Sequence, residues 1–309
     1  MEFSDRITVM ETVSDRICRV LEGTDLKRNI PLSSLTSIHI GGPAAVVFRP
    51  HSTEEICRAI QACSQYIFPY CVLGNGTNIL APDAGYQGMI IRIDTPLTAP
   101  VFLETSVTCP AGASLSILAR ESVSSGLMGL ESLSGIPGTV GGAVAMNAGA
   151  YGAEIRHVIK NVRILQNGHI MDVTTKKNNF GNRSSIFCAP NVIVLNATFR
   201  LAPDDGGAKE RMLACALARK EKQPLTLPSA GSVFKRPKGR FAGALIEECG
   251  LKGMSIGGAQ VSPKHAGFIV NKGSATERNV LDLIQLIQQR VYDQTGVMLE
   301  RELKLLSEV

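Results

Sequence analysis

The run Leu130 to Gly152, LESLSGIPGTVGGAVAMNAGAYG, constrains this chain more than any other stretch. Gly135, Gly138 and Gly141 recur every third residue, and Gly142 doubles the last. Pro137 breaks any simple helix, because it lacks an amide donor and restricts the residue before it. Glycines this dense suit a backbone that bends tightly and approaches something flat or charged. Successive exposed N–H groups in such turns make a concave anion cradle. A second turn, Gly74-Asn75-Gly76-Thr77-Asn78, follows the apolar stretch 70–73. Neither turn fits G-x-x-x-x-G-K-[ST], which argues against a P-loop. Neither is a G-x-G-x-x-G opening a helix in a βαβ unit, which argues against a standard Rossmann domain. Either turn alone reads as an ordinary tight loop. Together, with Asn78 and Asn147 as polar neighbours, they suit one dinucleotide with a central pyrophosphate.

At 309 residues the chain has room for two domains. Hydrophobic residues at 44% and charged residues at 19% mark a folded protein. No apolar run reaches the ~18 residues of a membrane span. The first residues, MEFSDRITVMETVSDR, carry both signs of charge and no signal-like apolar core. The eight cysteines include no C-x-x-C pair, and the five histidines no H-E-x-x-H. Reduced thiols, no metal and a cytoplasmic location are expected. A net charge of +5 is mild, and 5% aromatics without tryptophan give few platforms for bases, so no nucleic-acid partner is expected. The positive charge reads better as local, gathered for small anionic substrates.

Helical spacing of Val9, Val13, Ile17, Val20 and Leu21 predicts an amino-terminal helix. A strand is expected over 44–49, then a helix opened by a capping box at Ser52 to Glu55. Further strands are expected over 70–73, 89–93, 158–165, 170–173 and 192–199, with Asn167-Gly168 in a hairpin turn. A helix over 114–125 should stop at Gly126. The clearest linker, 202–207, divides the chain into domains 1–203 (itself split near 95) and 204–309. A helix near 210–222 follows it. Ser274 to Glu277 repeats the capping-box pattern before a long helix that buries Val280, Leu283, Ile284, Ile287 and Val291 and ends at Gly296. In the last strand, alternation places Glu300 and Glu302 together, opposite Leu299 and Leu303.

Several spaced motifs, in order, carry a family resemblance. Ile40-Gly41-Gly42-Pro43-Ala44, Leu73 to Asn78 and Ser134 to Gly152 resemble the FAD-binding half of UDP-N-acetylenolpyruvoylglucosamine reductases. Phe180-Gly181-Asn182-Arg183-Ser184-Ser185 is similar to that family's F-G-Y-R-x-S. Pro228 to Lys235 is similar to its P-x-A-G-S-x-F-K, and Leu251-Lys252-Gly253, Ile256 to Ala259 and Leu299-Glu300 complete the match from about residue 30 onward. The resemblance implies an α+β fold: a two-part FAD-binding domain of the vanillyl-alcohol-oxidase type, then a smaller α/β substrate-binding domain. It implies a cytoplasmic oxidoreductase of peptidoglycan synthesis, working as a monomer. NADPH reduces non-covalent FAD and leaves; the enolpyruvyl ether of UDP-N-acetylglucosamine then accepts hydride at its vinyl carbon. A proton quenches the resulting enolate, giving UDP-N-acetylmuramate.

The resemblance also implies site residues. Gly74, Asn75, Gly76, Thr77, Asn78, Gly135, Ile136, Pro137, Gly138, Thr139, Gly141, Gly142 and Asn147 would hold FAD. Ser232 matches the proton donor, Arg183 the enolate-stabilising arginine and Glu300 the catalytic glutamate. A serine is a poor acid unaided, so it needs neighbours that hold the anion. A guanidinium stays charged and grips a carboxylate through two hydrogen bonds. A carboxyl near the enolate helps if burial keeps it protonated. Motif position, not periodicity, selects Glu300 over Glu302. Lys222, Lys235 and Gln260 are expected at the substrate, with Lys235, Arg236, Lys238 and Arg240 steering anions. His265 reads as structural, and Asn271 belongs to the same polar stretch.

Asn182 stands where the family has tyrosine, which bears on packing around Arg183. Asn75 stands where the family more often has glycine or glutamate, and Thr77 replaces its serine. The short carboxy-terminal half resembles the compact subgroup, without a tyrosine-bearing loop. Two other functions compete: a flavin-dependent oxidase of the same superfamily, and a flavin-binding protein without turnover.

Overall fold

The computed structural model describes residues 12–308, which form three sheets of four or five strands and four two-stranded pairings. Val9 of the expected first helix lies outside the described residues. That helix runs over Val13–Val20, capped by the Thr12 side chain, and buries Ile17 while Leu21 is buried just beyond its end.

The first sheet has the strand order Asp25–Pro31, Pro43–Arg49, Tyr86–Arg92, Tyr70–Leu73. Its first pair is antiparallel and the other two pairs are parallel. The helix Thr53–Gln65 makes the crossover, burying Ile56, Ala59, Ala62 and Cys63. The Ser52 hydroxyl accepts from the Glu55 amide at 3.2 Å, as a cap should. The Glu55 carboxylate, however, accepts from the His51 amide at 2.7 Å, one residue outside, so the expected box is not reciprocal.

The second sheet is antiparallel throughout: His169–Thr174, Ile159–Gln166, Val192–Arg200, Ser106–Pro110, Val101–Leu103. Asn167 and Gly168 both have positive φ, which matches the right-handed twist of the strands they join. The helix Leu115–Ser124 ends before Gly126, whose φ of 72° terminates it.

The third sheet, Ser229–Ser232, Phe268–Asn271, Ala259–Val261 and Ser255–Ile256, is also antiparallel. The helix Glu277–Thr295 covers it with the five predicted apolar residues buried. This helix starts later than expected, with Thr276 as its cap. The cause is Asn271, whose Oδ1 accepts from the amides of Gly273 and Ala275 at 2.8 and 3.1 Å and holds that stretch as a turn.

The connections position the site. Ile38, Ile40 and Leu80, from the amino-terminal half, lie in the carboxy-terminal core with Leu245, Ile269, Leu283 and Leu299. Leu306 returns the other way, into the core of the first sheet with Leu32, Val47 and Ile90. Residues Lys304–Leu305 pair in parallel with Ile79–Leu80, directly after the first glycine turn. The helix Ala208–Lys222 buries only Ala208, and its Arg211 pairs with Glu131 at 3.1 Å.

Asn271 is 4% exposed, and its Nδ2 donates to the Ile38 carbonyl at 2.9 Å, tying the third sheet to the amino-terminal half. Asn271→Ala is expected to cost about 3 kcal/mol by stranding those buried groups. A lowered urea midpoint at unchanged slope would show it.

Candidate active site

The two glycine turns form one wall. Asn75 Nδ2 donates to the Pro137 carbonyl at 2.7 Å, joining them directly. A Cβ on Gly74 would strike Thr139 Oγ1, and one on Gly76, at φ 63°, would strike the Leu35 carbonyl. Only glycine fits at these two positions, because the protein itself already fills the volume a side chain would take. The amides of residues 75–78 and of Gly138 and Thr139 make no hydrogen bond among the described residues. They are the donors a pyrophosphate needs. The Val140 and Gly141 amides are spent on Ala113 and Ala111, so Gly141 serves close packing and not ligand bonding.

This wall borders a cleft of about 1590 Å³. Ligand pockets usually measure roughly 300–1,000 Å³, so the cleft has room for a dinucleotide with a second molecule. All five residues of the first turn line it, as do Gly135 to Thr139, Gly141 and Gly142. Asn147 does not. It is fully buried, donates to Glu154 and the Gly181 carbonyl at 2.9 Å each, and accepts from the Arg156 amide. Its polar groups are consumed in holding loops, which corrects the expectation that it binds the cofactor.

Arg183 enters from a two-strand turn, Phe180–Gly181 against Ser184–Ser185. Its φ is 53°, a left-handed conformation that an arginine adopts at a cost. The turn is anchored by Phe180 tilted against Phe187 and by the Ser185 hydroxyl donating to the Ala145 carbonyl at 2.8 Å. Asn182 is exposed at the tip, so no aromatic ring is needed to pack Arg183 in place. Arg183 Nη2 donates to the Gly149 carbonyl and Nε pairs with Glu302, both at 3.0 Å.

Glu302, not Glu300, faces the cleft. Glu300 points out, 71% exposed, and pairs with Lys235. The cause is a kink. The amides of Glu302 and Leu303 both donate to the Val233 carbonyl, at 2.8 and 3.2 Å, so strict alternation fails after the Phe234–Arg301 bridge. Burial raises the Glu302 carboxyl above its usual range; Arg183 and Lys235 oppose this less strongly. Asn78 Nδ2 donates to the Glu302 carbonyl at 3.2 Å, linking the first turn to this acid.

Ser232 ends the strand Ser229–Ser232, beside the Val233 that receives Glu302. It lines the cleft, and its hydroxyl has no hydrogen bond among the described residues. The structure thus brings Arg183, Ser232 and Glu302 to one cleft from three distant segments.

Lys222 lines the cleft as expected, but two other expected substrate residues do not. Lys235 is engaged by Glu300, and Gln260 Nε2 donates to the Gly253 carbonyl at 3.0 Å. Of the steering residues, Arg236 lies over the Phe241 ring, 3.9 Å from its centre, while Arg240 pairs with Glu248. His265 lines the cleft; its Nδ1 accepts from the Gly267 amide at 3.1 Å, and burial pushes its pKa down, favouring neutral imidazole. His39 also lines the cleft, close to the first turn.

Sequence reasoning missed Arg219. Its half-buried side chain lies against Gly135, lines the cleft and has no ion-pair or hydrogen-bond partner among the described residues. Burial pushes its pKa down, and only Tyr151 offsets this. A desolvated guanidinium without a carboxylate is a seat for a ligand anion. The signal available earlier was its place in the basic run 219–222.

Comparison with known proteins finds matches to both halves of the chain. The FAD binding domain family matches residues 43–174, and the UDP-N-acetylenolpyruvoylglucosamine reductase carboxy-terminal domain family matches 223–306. A UDP-N-acetylenolpyruvoylglucosamine reductase of Clostridioides difficile is 42% identical over 94% of this chain and 97% of its own. One from Caldanaerobacter subterraneus is 43% identical over 96% and 99%. The crystal structure of the Thermus caldophilus enzyme of that name superposes with a TM-score of 0.78 at 34% identity, covering 91% of this chain and 99% of that one.

Gly76→Ala adds a methyl where backbone blocks it, at a positive φ. The variant is expected to purify folded but with most of its flavin lost, seen as absorbance near the visible flavin band against far-ultraviolet circular dichroism.

Proposed function

The chain belongs to the UDP-N-acetylenolpyruvoylglucosamine reductase family, and on that premise we infer that Arg183, Ser232 and Glu302 are its reacting groups. It is a flavoprotein oxidoreductase of peptidoglycan precursor synthesis that reduces the enolpyruvyl ether of UDP-N-acetylglucosamine. The observation that carries the assignment is the Arg183–Glu302 pair, set in one cleft with the free Ser232 hydroxyl.

When bound along residues 74–78 and 135–142, FAD supplies hydride chemistry, with NADPH as the donor. The protein supplies charge control. Arg183 takes the carboxylate of the enolpyruvyl group, exchanging Glu302 for the substrate's anion. Burial favours the protonated form of Glu302, the form able to donate a hydrogen bond to the oxygen where enolate charge grows. Ser232 delivers its hydroxyl proton to the adjacent carbon. Arg219 and Lys222 hold phosphate oxygens at the mouth of the cleft.

On this proposal residues 1–203, divided near 95, bind the flavin, and 204–309 close over the sugar nucleotide. The enzyme works as a cytoplasmic monomer. Among the described residues no helix is long and apolar enough to cross a membrane.

Two half-reactions separate the roles. Anaerobic NADPH should bleach the flavin, and the enolpyruvyl UDP-sugar should restore it. Ser232→Ala and Glu302→Gln should bleach normally and recover at least ~10²-fold more slowly. Equal loss of both steps in Ser232→Ala would remove the proton-donor role. For the phosphate seat, Arg219→Leu should raise the KM for the sugar nucleotide about tenfold, corresponding to about 1.4 kcal/mol of binding, with kcat little changed. An unchanged KM would show that Arg219 carries no ligand charge.

A further inference from the structure

We propose that the Phe241 ring is the seat of the uracil base of the sugar nucleotide, with Arg236 as the positioning residue that braces the ring from behind. This rests on the cleft taking that substrate, as inferred above.

The local chain builds the platform. Arg236 and Phe241 flank a turn closed by the Arg240 amide donating to the Pro237 carbonyl at 3.3 Å, with Gly239 at a φ of 73° inside it. The turn sets the two side chains face to face, with Arg236 Cζ 3.9 Å from the centre of the Phe241 ring. Arg240 is drawn away by Glu248 at 2.6 Å. Directly after the ring, Ala242, Leu245 and Ile246 are buried and fix the helix Ala242–Glu248 that carries it. Phe241 does not join them. It stays 59% exposed and lines the cleft together with Arg236. One face of the ring carries the guanidinium, which leaves the other for a flat partner.

The neighbours of this platform are the groups that hold the rest of the substrate. The segment 262–268 touches each of them. Its Lys264 Nζ donates to the Lys220 carbonyl at 2.7 Å, between Arg219 and Lys222 in sequence. Its His265 lies against Gly243, where a Cβ would stand 3.3 Å from the imidazole. Its Phe268 pairs with Ser232. The phosphate cations, the proton donor and Phe241 are thus grouped around one segment. A molecule with a reacting group, a pyrophosphate and a terminal base can engage all three.

The other rings of the lining are spent. Phe187, Phe234 and Phe268 are buried, and the Tyr70 hydroxyl donates to Asn191 at 3.4 Å. Tyr151 is exposed, but it stands in the glycine-rich run on the flavin side, and no stacked cation braces its ring among the described residues. Stacking on an aromatic face holds a base by area, without a hydrogen-bond partner. A cation on the far face keeps the ring in place.

The test is the kinetics of holoenzyme with the enolpyruvyl UDP-sugar and with NADPH, together with inhibition by UDP. F241L should raise the KM for the UDP-sugar and the inhibition constant of UDP each about tenfold, with kcat and the bleaching by NADPH unchanged. F241Y keeps the ring and should restore both constants. R236M should raise both about threefold, and should add nothing beside F241L, because Arg236 acts through the ring. Unchanged constants in F241L, a loss that falls on NADPH in their place, or a loss carried by Y151L and not by F241L, overturns the proposal. If the enolpyruvyl UDP-sugar fails to re-oxidise the reduced flavin of the wild-type holoenzyme, the substrate itself is wrong, and the uracil seat with it. If it re-oxidises the flavin and F241L matches the wild type, only the uracil seat is wrong.

Discussion

A short carboxy-terminal return holds the site together. Lys304–Leu305 pairs alongside Ile79–Leu80, Glu302 bonds through its amide to Val233, and Leu306 is buried in the core of the first sheet. These contacts bring the last segment against the first glycine turn and the serine strand at once. Backbone hydrogen bonds do this regardless of side-chain chemistry, so the location of Glu302 is set by the fold. Without the return, Arg183, Ser232 and Glu302 would have no common neighbourhood.

The glycine wall contributes space and donors. Its residues lack side chains where backbone or Thr139 already fills the volume, and its amides stay unbonded where a phosphate would approach. Opposite it, cations outnumber anions on the cleft lining, and Arg219 has no carboxylate of its own. A site built this way is completed by anions, which suits two phosphate-bearing ligands using one cleft in turn.

Much of the fold was legible because apolar spacing follows burial. The helix over 277–295 and the hairpin at Asn167-Gly168 show their periods and turn residues openly. The strand Asp25–Pro31 escaped notice because it is an edge strand with polar residues and no fully buried position. The polar site residues divided in a similar way. Asn147, Gln260 and Lys235 sit beside true motifs, yet each spends its polar group on the protein itself. A sequence shows that a residue can make a hydrogen bond, not which group receives it.

The order of the glycine turns, the arginine turn and the serine motif by itself determined the family and the cofactor class, and it pointed to Arg183 and Ser232, which the structure brings to one cleft. Only the tertiary structure decided between Glu300 and Glu302. Both lie on one face of an ideal strand, but a single carbonyl accepts two successive amides here and bends the chain. That bend sends one carboxyl to solvent and the other into the cleft, and the long-range contact producing it leaves no trace in local spacing.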